Sequence, residues 1–119
     1  MNTQRLCPVY RKWLQLNPSS AREHRLLSQH QAQKAHKQGD VHVARTLSYQ
    51  AFETAKVVLT SLQPTTQQHS ETVKHDIAAF GSLGLYLYSL LRSDSKKREA
   101  HTILQECQQQ LIAVMPLHA

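Results

Sequence analysis

Apolar residues return along most of this chain every three or four positions, the spacing that turns one stripe of an α-helix toward a core. The clearest case begins near residue 41, where Ala44, Leu47, Ser48, Ala51, Ala55, Val58, Leu59 and Leu62 share one side of a helical wheel. That stripe predicts a core helix. Adding 56 to each position gives Ala100, Ile103, Leu104, Cys107, Leu111, Val114, Met115 and His118, apolar in all places but the last. The same shift carries Ala21, Leu27, Ser28, Ala32 and Ala35 onto Ile77, Leu83, Gly84, Tyr88 and Leu91. Two helical hairpins related by an approximate internal repeat follow from this one offset.

Punctuation between the stripes sets the boundaries. The four prolines and three glycines are few, and Pro8, Pro18, Pro64 and Pro116 fall between the periodic stretches. Ser20 followed by Glu23 forms a capping box, Gly39 suits the left-handed position that ends a helix, and Asp40 can cap the next. Asp94 or Ser95 can cap the last. The expected fold is all-α: one domain over residues 1–119, with an arm at 1–18, a hairpin at 19–62 and a second at 70–115. Its long helices should span about 20–38, 41–62, 70–92 and 95–115 in an antiparallel bundle. In the arm, Val9, Trp13 and Leu16 recur at helical spacing, which predicts that a short N-terminal helix docks through them. The third long helix is apolar nearly all round from Phe80 to Leu91, as a central helix or an interface helix would be. Gly81 and Gly84 there suggest the close approach of another backbone. Leu83, Tyr86 and Leu90 are its candidate interface residues, toward a partner or a second copy of the chain.

Gly39-Asp40, Ala44 after three further residues and Ala51 after six more resemble the turn and second helix of a tetratricopeptide repeat, over about 30 residues. Ala32 and Ala35 stand where that family's first helix carries a small and an aromatic residue. Ser48 replaces the family's bulky aromatic, Lys56 stands where a proline would end the unit, and Ser95 replaces the turn glycine in the second hairpin. The resemblance implies a scaffold that holds a peptide or protein segment in a groove lined by the first helix of each hairpin, and it implies no enzyme.

Charge sharpens that picture. Eight Lys and Arg in residues 1–45 face only Glu23 and Asp40, which accounts for the whole net charge of +6. An acidic partner suits such a third, and nucleic acid is the alternative. On a wheel, Arg22, Arg25, Gln29, Gln33, His36 and Lys37 share one face of the first long helix, opposite Leu27, Ala32 and Ala35. Long polar side chains on a rigid element suit an extended acidic or amide-rich peptide, so these six are the candidate partner-binding residues. A nucleic-acid-associated regulator using the basic third would need a polar, Arg-rich recognition helix, and the helix after Asp40 has only Arg45 and Lys56.

Catalytic and metal chemistry find no support. His24, His30, His36 and His42 recur at six-residue intervals, but six residues turn a helix by about 240°, so neighbours in the series point apart. No Cys-x-x-Cys, Gly-x-Ser-x-Gly or phosphate-binding glycine loop is present. The expectation is a non-enzymatic protein-binding module, adaptor or chaperone-like, with no metal and no cofactor. The cysteines, Cys7 and Cys107, are expected to be reduced thiols. No apolar run reaches the roughly 18 residues that span a bilayer, and no cleavable leader is evident, so the expected location is the cytoplasm and no membrane partner is foreseen.

Overall fold

A computed structural model describes residues 6–60 and 70–114 of the chain. Five helices occupy them: α1 (Pro8–Leu16), α2 (Pro18–Lys37), α3 (Val41–Thr60), α4 (Ser70–Ser93) and α5 (Lys97–Val114). The fold is all-α, a packed helical bundle with no strand among the described residues. Leu62, the predicted loop at 63–69, Met115 and Pro116 lie outside those residues. No described helix is long and apolar enough to cross a membrane.

The two hairpin turns are built alike. At the end of α2, Gly39 adopts φ 81°, its N–H meets His36 O at 3.0 Å, and the Asp40 N–H reaches back to Ala35 O at 2.9 Å. These bonds satisfy carbonyls that the last helical turn leaves unpaired, and Asp40 Oδ1 then accepts the Val43 N–H at 3.2 Å to start α3. At the end of α4, 56 positions later, Ser95 takes φ 60°, and Lys96 N–H reaches Leu91 O at 2.8 Å. A serine bears the left-handed conformation there because the same pair of bonds closes the turn. Neither Asp94 nor Ser95 caps α5, which starts at Lys97; Asp94 instead pairs with Arg45 at the start of α3. The Ser20 capping box does not form either. Pro18, with its φ already helical, opens α2 two residues earlier, and Asn17 turns its amide back to Trp13 O at 2.7 Å.

Helix α3 holds the centre. It is buried on every side from Ser48 to Leu59 except at Gln50 and Lys56, with α1 and α2 against one flank and α4 and α5 against the other. The sequence suggested a central place, or an interface, for α4. The difference arises because three buried α3 positions, Ser48, Glu53 and Thr54, are polar and dilute its apolar signal. Glu53 is matched by Arg11 at 3.1 Å and Lys56 at 3.4 Å, and Thr54 donates to Gln50 O at 2.7 Å. The main core joins Phe52, Ala55 and Leu59 of α3 to Phe80, Leu87 and Leu91 of α4 and Ile103 and Cys107 of α5. Phe52 and Phe80 stack with ring centroids 5.0 Å apart. Gly84 lies under this junction: a Cβ there would stand 2.8 Å from Cys107 Sγ and 3.2 Å from Phe52 Cε1. Gly81 has nothing within 4 Å of such an atom, so close approach explains only one of the two glycines.

Candidate partner-binding surface

The polar face of α2 turns toward α4 along part of its length. Arg22 presents Nε to both carboxylate oxygens of Asp76, at 3.0 and 3.1 Å, and a terminal nitrogen to Oδ2 at 2.8 Å. Arg25 adds a bond to Oδ1 at 3.0 Å. Asp76 is completely buried and Arg25 nearly so. The bond to Asp76 holds the Arg22 guanidinium more firmly protonated than usual, against the opposing pull of burial. Three turns beyond Arg25, His36 Nδ1 lies 3.2 Å from the Tyr86 hydroxyl, and burial pushes that phenol's pKa up. Of the six candidate residues, Arg22, Arg25 and His36 thus close a seam between α2 and α4, Gln29 is half-buried, and Gln33 and Lys37 remain exposed. Arg25 offers no free charge to a partner. A wheel cannot distinguish a solvated arginine from one whose carboxylate arrives from a helix 51 residues away.

Leu83 and Leu90 of α4, read as interface candidates, are buried in this chain's own core, and Tyr86 packs against Ala35, Ala44 and Leu90. They are internal because α3 crosses the side of α4 that the wheel left uncovered.

Helix α1 presents the opposite case. It begins at Pro8 after an extended Cys7, and it docks through Leu14, which packs fully buried against Ala21, Val57 and Val58. Arg11 pins it to the buried Glu53. Tyr10 sets its ring edge-on to His24, centroids 5.2 Å apart. His24 Nδ1 lies 2.9 Å from Thr54 Oγ1. Since Thr54 already donates to Gln50 O, the histidine must donate, which places its proton on Nδ1; burial lowers its pKa.

The stripe expected to dock therefore faces outward: Val9 is 79% exposed, Trp13 48% and Leu16 73%. Leu14 and Arg11 won the inner side because a leucine filling a closed apolar site and a guanidinium neutralising Glu53 both outweigh burial of a residue on a nine-residue rim. Tyr10 stacks on Trp13 with centroids 5.9 Å apart, and these two with Cys7 and Val9 line an open groove of ≈490 Å³. Leu27, one turn beyond His24 on the same face of α2, is also exposed, as is Leu26. The signal was present in the sequence: the arm carries apolar residues on two sides, and only one side of a helix can dock.

Four of the eight basic residues of the first third are paired with carboxylates from elsewhere in the fold. Arg11, Arg22, Arg25 and Arg45 pair with Glu53, Asp76 and Asp94, whereas Lys12, Lys34 and Lys37 are exposed and make no ion pair among the described residues. The histidines of the six-residue series separate as their spacing requires: His24 meets Thr54, His36 meets Tyr86 and His42 lies beside Arg45, while His30 is exposed. Among the described residues no group of three His, Cys, Asp or Glu side chains could hold a metal ion. The chain matches no known protein family, no curated protein and no solved structure.

Proposed function

We propose that this chain is a non-enzymatic protein-interaction module, adaptor or chaperone-like, that holds an amphipathic acidic segment of a partner protein against α1. The observation that carries the proposal is the outward side of α1, where Val9, Trp13 and Leu16 stand in solvent on a helix anchored by Leu14 and Arg11. An exposed tryptophan beside a tyrosine on an anchored helix is the kind of side chain that most often carries the binding energy of a protein interface. Lys12, exposed on α1 and without an ion pair among the described residues, supplies positive charge that favours an acidic occupant. The paired hairpins and their recurring turn agree with a repeat scaffold of the tetratricopeptide kind, although the surface lies on α1 and not in a groove along α2. Nucleic-acid association draws less support, since half the basic residues of the first third are spent on internal carboxylates. A lipid surface draws less still, because three apolar anchors on nine residues bury little area.

The test places a photo-crosslinking amino acid at position 13 in the native host, with the same residue at position 109 as control. The peptide crosslinked only from position 13 is then synthesised with a fluorescent label, and its anisotropy is followed as each protein is added. An acidic amphipathic peptide that saturates the wild type, and binds Trp13→Glu about tenfold or more weakly, is the expected result. Equal binding to both proteins, or crosslinks confined to copies of this chain or to lipid, would overturn the proposal.

A further inference from the structure

The α4–α5 hairpin carries a second feature that the α1 surface does not touch. Tyr88 and Arg92 stand one turn apart near the end of α4, and Lys97 and His101 stand one turn apart at the start of α5. The turn at Ser95 brings these pairs together around a cavity of ≈220 Å³ lined by these four residues. Arg92 donates to the Tyr88 hydroxyl oxygen at 3.1 Å, and its guanidinium carbon lies 5.8 Å from that ring's centroid. Because the oxygen accepts there, the tyrosine's own O–H is left to donate, and four of the five guanidinium N–H groups remain unused. Lys97 is the first residue of α5, where the initial backbone N–H groups have no partner within the helix and the helix dipole adds positive potential.

No carboxylate among the described residues bonds to Arg92, Lys97 or His101. The nearby acids are committed elsewhere: Asp94 to Arg45, Glu99 to the Tyr49 hydroxyl at 2.8 Å, and Glu106 to Lys56 at 3.0 Å. Lys97 and His101 make no hydrogen bond or ion pair among the described residues. Folding has thus drawn the local acids to α3 and left cationic and hydroxyl donors facing one small cavity.

We propose that this pocket binds a phosphoryl group, as the dianion of inorganic phosphate or of a phosphate monoester. A dianion balances Arg92 and Lys97 together, whereas a carboxylate would satisfy the guanidinium fork and leave Lys97 uncompensated. The dianion's tetrahedral oxygens also offer acceptors to donors arriving from two helices and from the Tyr88 hydroxyl. The cavity accommodates a single such group and its immediate substituent, with the Tyr88 ring as an apolar wall.

The experiment is a titration of the full-length isotope-labelled protein followed by nuclear magnetic resonance at constant ionic strength. Its arms are inorganic phosphate, N-acetyl-O-phosphoserine amide and acetate. Saturable shifts at the Arg92 Nε–H and at the amides of residues 97–99, with acetate much weaker, are expected. Arg92→Gln should weaken phosphate binding about tenfold, while Lys74→Gln, an exposed lysine at the far end of α4, should leave it unchanged. Lys97→Gln gives an independent loss at an exposed position, in case Arg92→Gln perturbs the turn. Tighter binding of the ester would identify a monoester as the natural source, and equal binding would identify free phosphate. Shifts that grow linearly without saturation, acetate equal to phosphate, or full binding by both Arg92→Gln and Lys97→Gln would overturn the assignment.

Discussion

Replacing Asp76 by Asn keeps the volume of the side chain and removes its charge, so it isolates the electrostatics of the α2–α4 seam. The carboxylate accepts bonds from Arg22 and Arg25, and its side chain is 0% exposed beside an Arg25 side chain at 6%. With the charge gone, Arg25 stays in a site that water hardly reaches, and breaking a buried pair in this way costs about 3–5 kcal/mol. Arg22 is 24% exposed and can swing toward solvent, so its share should be no more than about 1 kcal/mol. A loss near 4 kcal/mol is a large part of the roughly 5–15 kcal/mol that holds a domain of this kind. Removing one cation is milder, because Asp76 keeps the other: Arg22→Gln should cost about 1–2 kcal/mol. The double variant Arg25→Leu, Asp76→Leu should regain much of the loss, since an apolar pair can replace a buried ion pair at little cost. Urea titrations followed by far-ultraviolet circular dichroism read all of these. A loss below about 1 kcal/mol for Asp76→Asn, or one smaller than that of Arg22→Gln, would refute the view that Asp76 organises the seam.

The two glycines of α4 should respond in opposite directions. Gly81→Ala meets open space and should stabilise by about 0.5–1 kcal/mol, whereas Gly84→Ala drives a Cβ onto Cys107 Sγ and should destabilise by about 1–3 kcal/mol, both read as thermal midpoints. The thiols should differ in reactivity: exposed Cys7 is titrated at once by a disulfide reagent, while Cys107, buried and with its pKa pushed up by burial, reacts only on unfolding. His24 provides a pH dependence. Its folded pKa is lowered from the usual 6.5 by burial, so the stability it confers is complete above that value. Below it the unfolded chain takes up a proton that the folded chain resists, and stability falls with pH through the window between the two pKa values. His24→Asn, which keeps a donor for Thr54, should make the decline in urea midpoint between about pH 7 and pH 5 shallower. An unchanged slope would show that His24 is not the group responsible.

Much of the helical framework was legible because its causes are short-range. The left-handed Gly39, the Asp40 cap and the burial of Ala44, Ala51, Ala55 and Val58 follow from backbone preference and a period of 3.6, which need only neighbouring residues. The second hairpin followed from the same offset, but Ser95, expected as a cap for the last helix, instead carries the left-handed turn itself. The capping box at Ser20 is absent for an equally local reason, the readiness of Pro18 to begin a helix. The candidate site was less legible. Arg22, Arg25 and His36 have the polarity of a partner-binding face, and Val9, Trp13 and Leu16 that of a docking stripe, because polarity along one helix does not say which way that helix turns.

Where helices begin and end and which residues share a face depend largely on contacts within a few positions, so the chain carries that information locally. Which face is buried was decided by the tertiary structure. Arg25 became internal when Asp76 arrived from 51 residues away, Glu53 became internal when Arg11 and Lys56 met it, and the outward side of α1 was left bare once Leu14 had taken the one closed site. A charge goes inside when an opposite charge meets it there, and an apolar side chain stays outside when the core is already full.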